Sequence, residues 1–210
     1  MTAVTLRRYT NLAATIQILR NKVITLLSPS TWDDRNDAYF LAQYKKRKGV
    51  QTVLALCFAE TSETYHHWRV FSHGCDGVCI EFDKARLLQH ARDSKRVRSG
   101  PVLYREIKEA RRQGVELDKL PFVKRYPYHD EKEFRIVYVD AHNAVEAREF
   151  PIDISCIQKV TLSPWMPLPL EGAVKATLAD IDDCSALPIG RSTLVENEKW
   201  KRVARGDEAE

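Results

Sequence analysis

Two short segments of the chain carry side chains that could perform chemistry. The first, Tyr65–Arg69, reads Tyr-His-His-Trp-Arg, and the second, Glu131–Arg135, reads Glu-Lys-Glu-Phe-Arg. Tyrosine, histidine and arginine donate hydrogen bonds and stack on rings, and histidine also titrates near neutral pH. Paired carboxylates can orient a ligand or stabilise a positive charge that develops during a reaction. We therefore expect the two segments to converge on one cleft for an anionic or aromatic ligand.

The first segment lies on a predicted helix over Glu63–Ser72, which stops at Gly74. At helical spacing, one stripe of this helix carries the unusual polar side chains: Tyr65, His66 and Arg69. A second stripe is expected to be core: Trp68 and Phe71, with His67 at its edge. The polar stripe could form a wall of the cleft, or it could be a hydrogen-bond network that only fixes the helix.

The second segment begins the clearest predicted strand of the chain, Glu131–Asp140. Because side chains alternate along a strand, Glu131, Glu133 and Arg135 share one face. The other face is apolar and is expected to be core: Phe134, Ile136 and Tyr138. The core gives Glu133 a rigid mounting, whereas Glu131 at the start of the strand is expected to be solvated. Arg135 can hold Glu133 ionised for catalysis, or the acidic face can be a ladder of ion pairs between strands.

A third polar stretch is the predicted loop Trp32–Asp37, which reads Trp-Asp-Asp-Arg-Asn-Asp. Three carboxylates in six residues repel one another unless Arg35 or a remote arginine compensates them. Asp and Asn also form local turns, which is the alternative explanation. We expect the loop to belong to the site, through Asp34, Asn36 and Asp37.

The remaining pattern gives the elements that position these segments. Strands are predicted at Leu6–Tyr9, Val23–Leu27, Val53–Phe58, Gly77–Phe82, Val102–Tyr104, Ile157–Leu162 and Ser192–Val195. Helices are predicted from a cap at Thr10 or Asn11 to Asn21, and at Ala38–Lys48, Lys84–Ala91, Tyr104–Gln113 and Gly172–Ile181. No glycine-rich phosphate loop follows a strand, which disfavours a doubly wound nucleotide fold. The order predicts an α+β fold: one domain over residues 1–200 with a mixed, mostly antiparallel sheet, then a charged, disordered tail over 201–210.

Composition narrows the class of protein further. The chain has 210 residues, of which 44% are hydrophobic, and a net charge of +4. No apolar run approaches the roughly 20 residues of a spanning helix, and the N-terminus does not resemble a secretory signal, so no membrane partner is expected. The stretch Lys84–Arg112 holds ten basic and three acidic residues, which is typical of a solvated helix face but could also bind a polyanion.

Cysteine usage indicates a reducing compartment. The five cysteines form an odd set without regular spacing, so we expect free thiols and a cytoplasmic protein. Cys75 and Cys79 lie near histidines, but their spacing and the lack of a second thiolate pair are unlike usual zinc sites. No metal is therefore expected.

Over most of its length, the chain resembles a bacterial family known as the domain of unknown function 2971 family. The resemblance depends on these segments: Leu6–Thr10, Ile18–Asn21, Leu27–Pro29, Trp32–Asp37, Leu56–Phe58, His67–Trp68, Gly77–Phe82, Tyr104 and Glu131–Ile136. Arg35 departs from the proline that is usual in the family loop. The family name implies no activity.

The chain also resembles ADP-ribosyltransferase-type folds in the order of its first two strands and in its late Glu-x-Glu strand. This resemblance implies NAD as substrate, bound by Arg8, Tyr9, Thr10, Tyr65, His66 and Arg69. It implies Glu133 as the catalytic carboxylate, with Glu131, His67 and Arg135 in supporting roles. The Ser-Thr-Ser strand motif of one class of these folds is absent, and Thr61–Ser62 replaces it poorly.

Three functions from different classes stay open on the sequence. The leading one is an NAD-consuming transferase or glycohydrolase, with a toxin-like or phage-defence role and a small-molecule nucleotide as partner. The second is directed to nucleic acid, either as a binder through Lys84–Arg112 or as a metal-independent nuclease using His66, His67 and Glu133. The third is a non-catalytic sensor or interaction domain. The sequence leaves the oligomeric state open.

Overall fold

The computed structural model describes residues 4–72, 74–92 and 96–206. Within these ranges the strands are β1 (Thr5–Asn11), β2 (Val23–Leu27), β3 (Thr52–Ala59), β4 (Gly77–Asp83), β5 (Val97–Pro101), β6 (Leu103–Arg105), β7 (Val123–Arg125), β8 (Glu133–Asp140), β9 (Ala147–Pro151), β10 (Ile157–Leu162) and β11 (Ile189–Arg191). The α-helices are α1 (Leu12–Asn21), α2 (Arg35–Lys48), α3 (Tyr65–Phe71), α4 (Lys84–Arg92), α5 (Ile107–Gln113), α6 (Leu168–Ala179) and α7 (Glu198–Arg205). Short 3-10 helices lie at Pro29–Thr31, Leu117–Phe122, Tyr126–Glu131 and Ile154–Cys156.

The described part of the chain forms one nine-stranded sheet and a separate pair, β6 and β7. The main path runs β11-β10-β4-β1-β3-β2-β9, and β8 pairs with both β3 and β5. Only β10 and β11 are parallel in this sheet; its other pairs are antiparallel. The predicted α+β fold with a mixed, mostly antiparallel sheet is therefore confirmed.

The two faces of β3 and β8 have different environments. One face enters the main core through Leu54, Leu56, Phe58, Phe134, Ile136 and Tyr138. The other face packs partly against α2. Val53, Ala55 and Val137 of the sheet contact a cluster that includes Leu41 and Tyr44 of the helix. Glu133 and Arg135 lie on this second face, as the alternation in the sequence predicts.

The sheet is weakly joined along one edge of β3. β1 and β2 share this edge, but each pairs with β3 at a single residue: Arg7 with Ala59, and Leu27 with Ala55. The carbonyl of Cys57, between these two points, accepts a hydrogen bond of 3.1 Å from Arg8 Nη1. A cleft opens at this junction.

The pair β6–β7 lies beside the sheet and is linked to it through Tyr104. The Tyr104 hydroxyl accepts a hydrogen bond of 2.8 Å from the backbone N–H of Glu133. The two strands are parallel, with Tyr104 beside Lys124 and Arg105 beside Arg125. Because side chains alternate, the first of these pairs faces one side of the small sheet and the second faces the other.

Several helix boundaries differ from the predicted ones because of local caps. Asn11 caps α1 as predicted, but Lys22, with φ 52°, closes it in place of Asn21. α2 begins at Arg35 instead of Ala38, since the Asp34 carboxylate accepts the N–H groups of the first turn. α3 is shorter than predicted because Thr64 is its cap.

Strand boundaries also need correction. β8 begins at Glu133. Glu131 was predicted to lie on this strand but belongs to the preceding 3-10 helix. β5 and β9 were not expected, since Gly100, Pro101 and charged residues interrupt their patterns. The last strand is β11, which ends before the predicted Ser192–Val195.

The C-terminal end of the described chain is helical. α7 extends to Arg205, so the predicted tail overlaps this helix between residues 201 and 205. Residues 207–210, also assigned to the tail, lie outside the described residues. No helix in the described ranges is long and apolar enough to cross a membrane.

Candidate functional site

A cleft of about 610 Å³ opens where β1 leaves β3. Its charged lining comes from Arg7, Arg8, Asp33, Asp34, Asp37, Asp76, Lys124, Glu131 and Glu133. Its aromatic lining comes from Tyr9, Trp32, Phe58, His67, Phe71 and Tyr128. This volume is within the usual range for small-molecule sites, and the mixture of charges and rings suits a ligand with both phosphates and bases.

Arg135 is the centre of a buried ion network behind the cleft. Its guanidinium is fully buried and pairs with both carboxylate oxygens of Asp37, one of them at 2.9 Å from Nη1. It also donates to both oxygens of Glu133 and to the carbonyl of Pro121. The face that the sequence left open between catalysis and ion pairing therefore does contain a set of ion pairs, centred on Arg135.

Lys124 extends this network toward the cleft. Its ammonium lies 2.6 Å from Glu131 Oε2, 3.4 Å from Glu133 Oε2 and 3.7 Å from Asp37 Oδ2. It also lies 4.7 Å from the centre of the Tyr128 ring. One buried lysine thus holds three carboxylates together, and without it they would repel one another.

The two glutamates of the Glu-x-Glu segment have opposite electrostatic character. Burial raises the pKa of Glu133, but Arg135 and Lys124 outweigh burial and lower this pKa to about 2. Burial raises the pKa of Glu131, and Lys124 only partly opposes this effect. Glu133 is therefore a permanent negative charge, whereas Glu131 can exchange a proton closer to neutral pH.

The expectation that Glu131 is solvated is wrong. Its side chain is buried, because the positive φ of Lys132, 45°, turns the chain between Glu131 and β8. Oε2 of Glu131 is bound by Lys124, and Oε1 has no hydrogen-bond partner among the described residues. Within the described chain, both oxygens of Glu133 are already bound. Glu131 is the carboxylate that retains an acceptor for a ligand.

His67 joins the two segments, as their predicted convergence requires. Its Nε2 lies 3.1 Å from the backbone carbonyl of Glu131, and its Nδ1 lies 2.6 Å from the Thr64 hydroxyl. A carbonyl only accepts, so Nε2 carries the proton and Nδ1 accepts from Thr64. Burial lowers the pKa of His67, so the ring is neutral. With both nitrogens engaged, His67 positions Glu131 and has no free nitrogen for a ligand.

Arg8 of β1 places a cation in the lining of the cleft. The side chain is partly buried, and burial lowers its pKa. Within the described chain, its only hydrogen bond goes to the neutral carbonyl of Cys57. Arg7, in contrast, is paired with Glu81 and donates to the carbonyl of Thr61. Arg8 therefore keeps donors for an anionic ligand, and Thr10 lies beside it in the lining.

Tyr9 contributes mainly to packing. It is buried, stacks on His67 with ring centres 5.3 Å apart, and meets the edge of Trp68. Its hydroxyl lacks a nitrogen or oxygen partner among the described residues and lies near the Cys79 thiol. Its role toward a ligand is thus to support the His67 ring.

Three residues predicted to bind the ligand lie elsewhere. Tyr65, His66 and Arg69 are exposed and are not part of the cleft lining. The Arg69 guanidinium lies 4.1 Å from the ring centre of Trp165 and donates to the Tyr65 hydroxyl. The helix presents its other side to the cleft, because His67 is half a turn away from the exposed stripe.

The segment Trp32–Asp37 lines the cleft in part: Trp32, Asp33, Asp34 and Asp37 contribute to the lining, whereas Arg35 and Asn36 do not. Asp37 is buried against Arg135, which is the remote arginine that its charge requires. Asp34 caps α2 through Oδ1, and its Oδ2 is buried without a partner in the described chain. Asn36 is exposed and donates only to Asp34.

The basic stretch Lys84–Arg112 is dispersed over the fold. Lys84 pairs with Glu60, Arg96 pairs with Asp140, and Arg98 donates to the Asp118 carbonyl. Residues 93–95 of this stretch lie outside the described chain. The groove from this stretch to the histidines, which the nucleic-acid hypothesis requires, is not formed by these side chains.

The remaining candidate chemistry concerns thiols and metals. All five cysteines are free, and burial raises the pKa of Cys57, Cys79, Cys156 and Cys184. Within residues 4–72, 74–92 and 96–206, no cluster of three or more His, Cys, Asp or Glu side chains could hold a metal ion.

Sequence reasoning missed Lys124, Tyr104 and Tyr128. Lys124 lies in the short strand β7, between two 3-10 helices that have no clear periodic pattern. A lysine between apolar Val123 and the aromatic run from Tyr126 was the one available signal.

The importance of His67 can be measured against its neighbour. We expect His67→Phe to lower the free energy of unfolding by about 1–3 kcal/mol, because the buried carbonyl of Glu131 loses its donor. The matched variant His66→Phe alters an exposed ring and should change stability by less than about 0.5 kcal/mol. Urea denaturation of both variants checks this; equal effects would show that His67 does not hold the second segment.

Comparison with known proteins identifies no family. No family model matches the chain, and no curated protein matches it. Among solved structures, it is similar to DarT from Thermus sp. 2.9 in complex with NAD+, with a TM-score of 0.45 and 10% sequence identity, covering 91% of this chain and 96% of that chain. Similarity at this level carries no argument about function, so the proposal below depends on the geometry of the cleft. The resemblance to the domain of unknown function 2971 family stays a prediction.

Proposed function

We propose that the cleft binds NAD and that the protein releases nicotinamide from it, as an ADP-ribosyltransferase or a glycohydrolase. The observation that carries this proposal is that Arg8 and Glu131 line the same cleft. Each has an unused hydrogen-bonding group of the kind that NAD requires: guanidinium donors for the pyrophosphate and a carboxylate oxygen for a ribose hydroxyl.

The chemistry of this reaction is consistent with the charges of the site. The bond between the nicotinamide nitrogen and ribose C1′ breaks, its electrons leave with nicotinamide, and the oxygen of water or another nucleophile bonds to C1′ and gives up a proton. Positive charge develops on the ribose during this step, and fixed carboxylates stabilise such a charge. Glu133, ionised by Arg135 and Lys124, supplies a permanent negative charge.

Glu131 is the residue that we assign to contact with the substrate. Its free Oε1 can accept a hydrogen bond from a ribose hydroxyl. Its raised pKa suits the carboxylate to take the proton that the nucleophile gives up. Arg135, Lys124 and His67 then act as positioning residues, because each contacts the glutamates or their backbone. Trp32, Phe71 and Tyr128 also line the cleft, and we assign these rings to contacts with the bases.

The geometry gives less support to the other two hypotheses. A metal-independent nuclease would need a free histidine, and both nitrogens of His67 are engaged while His66 is outside the cleft. A purely structural network would not need unused donors on Arg8. A toxin-like or phage-defence role and a cytoplasmic location stay predictions.

The role of Arg8 gives a direct test. We expect the native protein to release nicotinamide from NAD, measured by chromatography, and to bind NAD in calorimetry. Arg8→Gln should weaken NAD binding about tenfold or more, since a charge-assisted contact to the pyrophosphate contributes about 1.5–3 kcal/mol.

Arg20→Gln is the matched control, because Arg20 is exposed on α1 and outside the cleft lining. It should leave NAD affinity within a factor of two. If the native protein neither binds nor cleaves NAD, the proposed function is wrong. If Arg8→Gln binds NAD like the native protein, the assignment of Arg8 to the pyrophosphate is wrong.

A further inference from the structure

A second cavity of about 400 Å³ lies directly beside the cleft. The two share three lining residues: Asp34, Asp37 and Lys124. These residues therefore form a common wall, with the proposed NAD site on one side. The second cavity has no part in the function proposed above, and its lining has a different chemistry.

The small sheet β6–β7 contributes side chains to the surroundings of both cavities. On one side, Tyr104 contacts the backbone of Glu133 and Lys124 contacts the carboxylates. On the other side, Arg105 and Arg125 reach the second cavity. The alternation of two three-residue strands thus supplies groups to both sites at once.

The second cavity brings several arginines together. Arg105 and Arg125 are register partners on adjacent strands, and like charges in such positions repel one another. Arg111 of α5 adds a third guanidinium to the same lining. Arg105 is paired with Glu109, but Arg111 and Arg125 have no acidic partner among the described residues. Asp34 and Asp37 also line this cavity, but Asp34 caps α2 and Asp37 is bound by Arg135. The exposed guanidiniums of Arg111 and Arg125 therefore favour an anionic ligand in this concave site.

The floor of this cavity is apolar. Phe40, Ile107, Val115 and Val123 line it, and Ile107 is 53% exposed. A simple inorganic anion would leave these side chains in water. A ligand that joins a flat apolar ring to a phosphate would cover the floor and neutralise the arginines together, and a nucleotide has this chemistry.

We propose that the second cavity binds a nucleotide unit, with its base on the apolar floor and its phosphate on Arg111 and Arg125. If the bound nucleotide is the acceptor of ADP-ribose, that role rests on the proposed function. The binding of a nucleotide in this cavity does not depend on the proposed function. The unit can come from a free mononucleotide or from a single nucleic-acid strand.

The experiment measures binding without NAD. Fluorescence anisotropy with a labelled single-stranded oligonucleotide of mixed sequence, and calorimetry with AMP, test the two sources. For whichever ligand binds, the double variant Arg111→Ser/Arg125→Ser should lower the affinity tenfold or more. For the oligonucleotide, it should also reduce the slope of log affinity against log salt by ~1.4, since each lost contact to a single strand accounts for about 0.7.

The control variant is Lys108→Ser/Arg112→Ser, which removes the same charge from exposed positions of α5 outside the cavity. It should change affinity less than twofold. Binding of AMP that depends on Arg111 and Arg125 identifies a free nucleotide as the source, and binding of the oligonucleotide alone identifies a strand.

Two results would overturn the inference: no binding of either ligand to the native protein, or equal losses in both double variants. Neither result affects the proposed function, which is tested by nicotinamide release and by the Arg8 variant. The melting temperature of each variant should match that of the native protein, because the side chains of Arg111 and Arg125 make no hydrogen bond or ion pair within the described chain.

Discussion

Replacing Arg135 with methionine is expected to lower the free energy of unfolding by about 3–5 kcal/mol. The guanidinium is fully buried and binds the carboxylates of Asp37 and Glu133, which are themselves buried. The substitution keeps much of the side-chain volume but leaves two carboxylates with only Lys124 to compensate them. Urea denaturation at neutral pH measures the effect.

The pH dependence of the free energy of unfolding gives a second, independent test of this prediction. In the native protein Glu133 contributes stability above its ordinary pKa of 4.5, and this contribution is lost as the pH falls toward 2. Without Arg135, burial raises the pKa of both carboxylates. Protonation at acid pH then removes their buried charges and reduces the loss of stability in the variant. The stability difference between the two proteins should therefore shrink as the pH falls.

Arg148→Met is the control for this substitution. Arg148 is exposed on β9 and lies 5.9 Å from the ring centre of Tyr138, so its loss should cost less than about 0.5 kcal/mol. A stable Arg135→Met protein with an unchanged pH dependence would show that the buried network does not hold the site together.

Glu131→Gln is expected to reduce nicotinamide release a hundredfold or more while NAD affinity stays within a factor of three. A glutamine can still accept a hydrogen bond, but it carries no charge and takes up no proton. Stability should change by less than about 1 kcal/mol, since burial already disfavours the charge of Glu131 and Lys124 keeps Glu133 and Asp37 as partners. Kinetics with NAD, calorimetry and denaturation separate these quantities.

Glu133→Gln is the matched comparison within the same segment. It should destabilise the protein more than Glu131→Gln, because both of its carboxylate oxygens bind Arg135 or Lys124. In the native protein, activity should fall as the pH drops through the raised pKa of Glu131. Full turnover in Glu131→Gln would remove this residue from the reaction and return the catalytic assignment to Glu133, which the sequence alone favours.

The sequence predicts those parts of the site that depend on local periodicity. Alternation along the late strand correctly placed Glu133 and Arg135 opposite Phe134, Ile136 and Tyr138. Helical spacing correctly placed Trp68 in the core, but Phe71, which was expected there too, is exposed and lines the cleft. The spacing could not decide which side of so short a helix meets the cleft. That choice depends on the hydrogen bond from His67 to a residue 64 positions away.

The rest of the site depends on contacts and turns without a local signal. Asp37 and Arg135 are 98 residues apart, and nothing in either neighbourhood specifies the other. Glu131 has the spacing of a strand residue, but the positive φ of Lys132 removes it from β8. A lysine gives no warning of this conformation, which glycine or asparagine would have indicated.

The single-residue junction between β1 and β3 has a consequence for how this protein can change over evolutionary time. The separation of the two parts of the sheet there depends on one paired residue and on the reach of the Arg7 and Arg8 side chains. A long backbone ladder can be altered only by many coordinated substitutions, whereas an arginine can be exchanged in one step. The width of the cleft can thus diverge among descendants of this chain by single substitutions, with the surrounding fold unchanged.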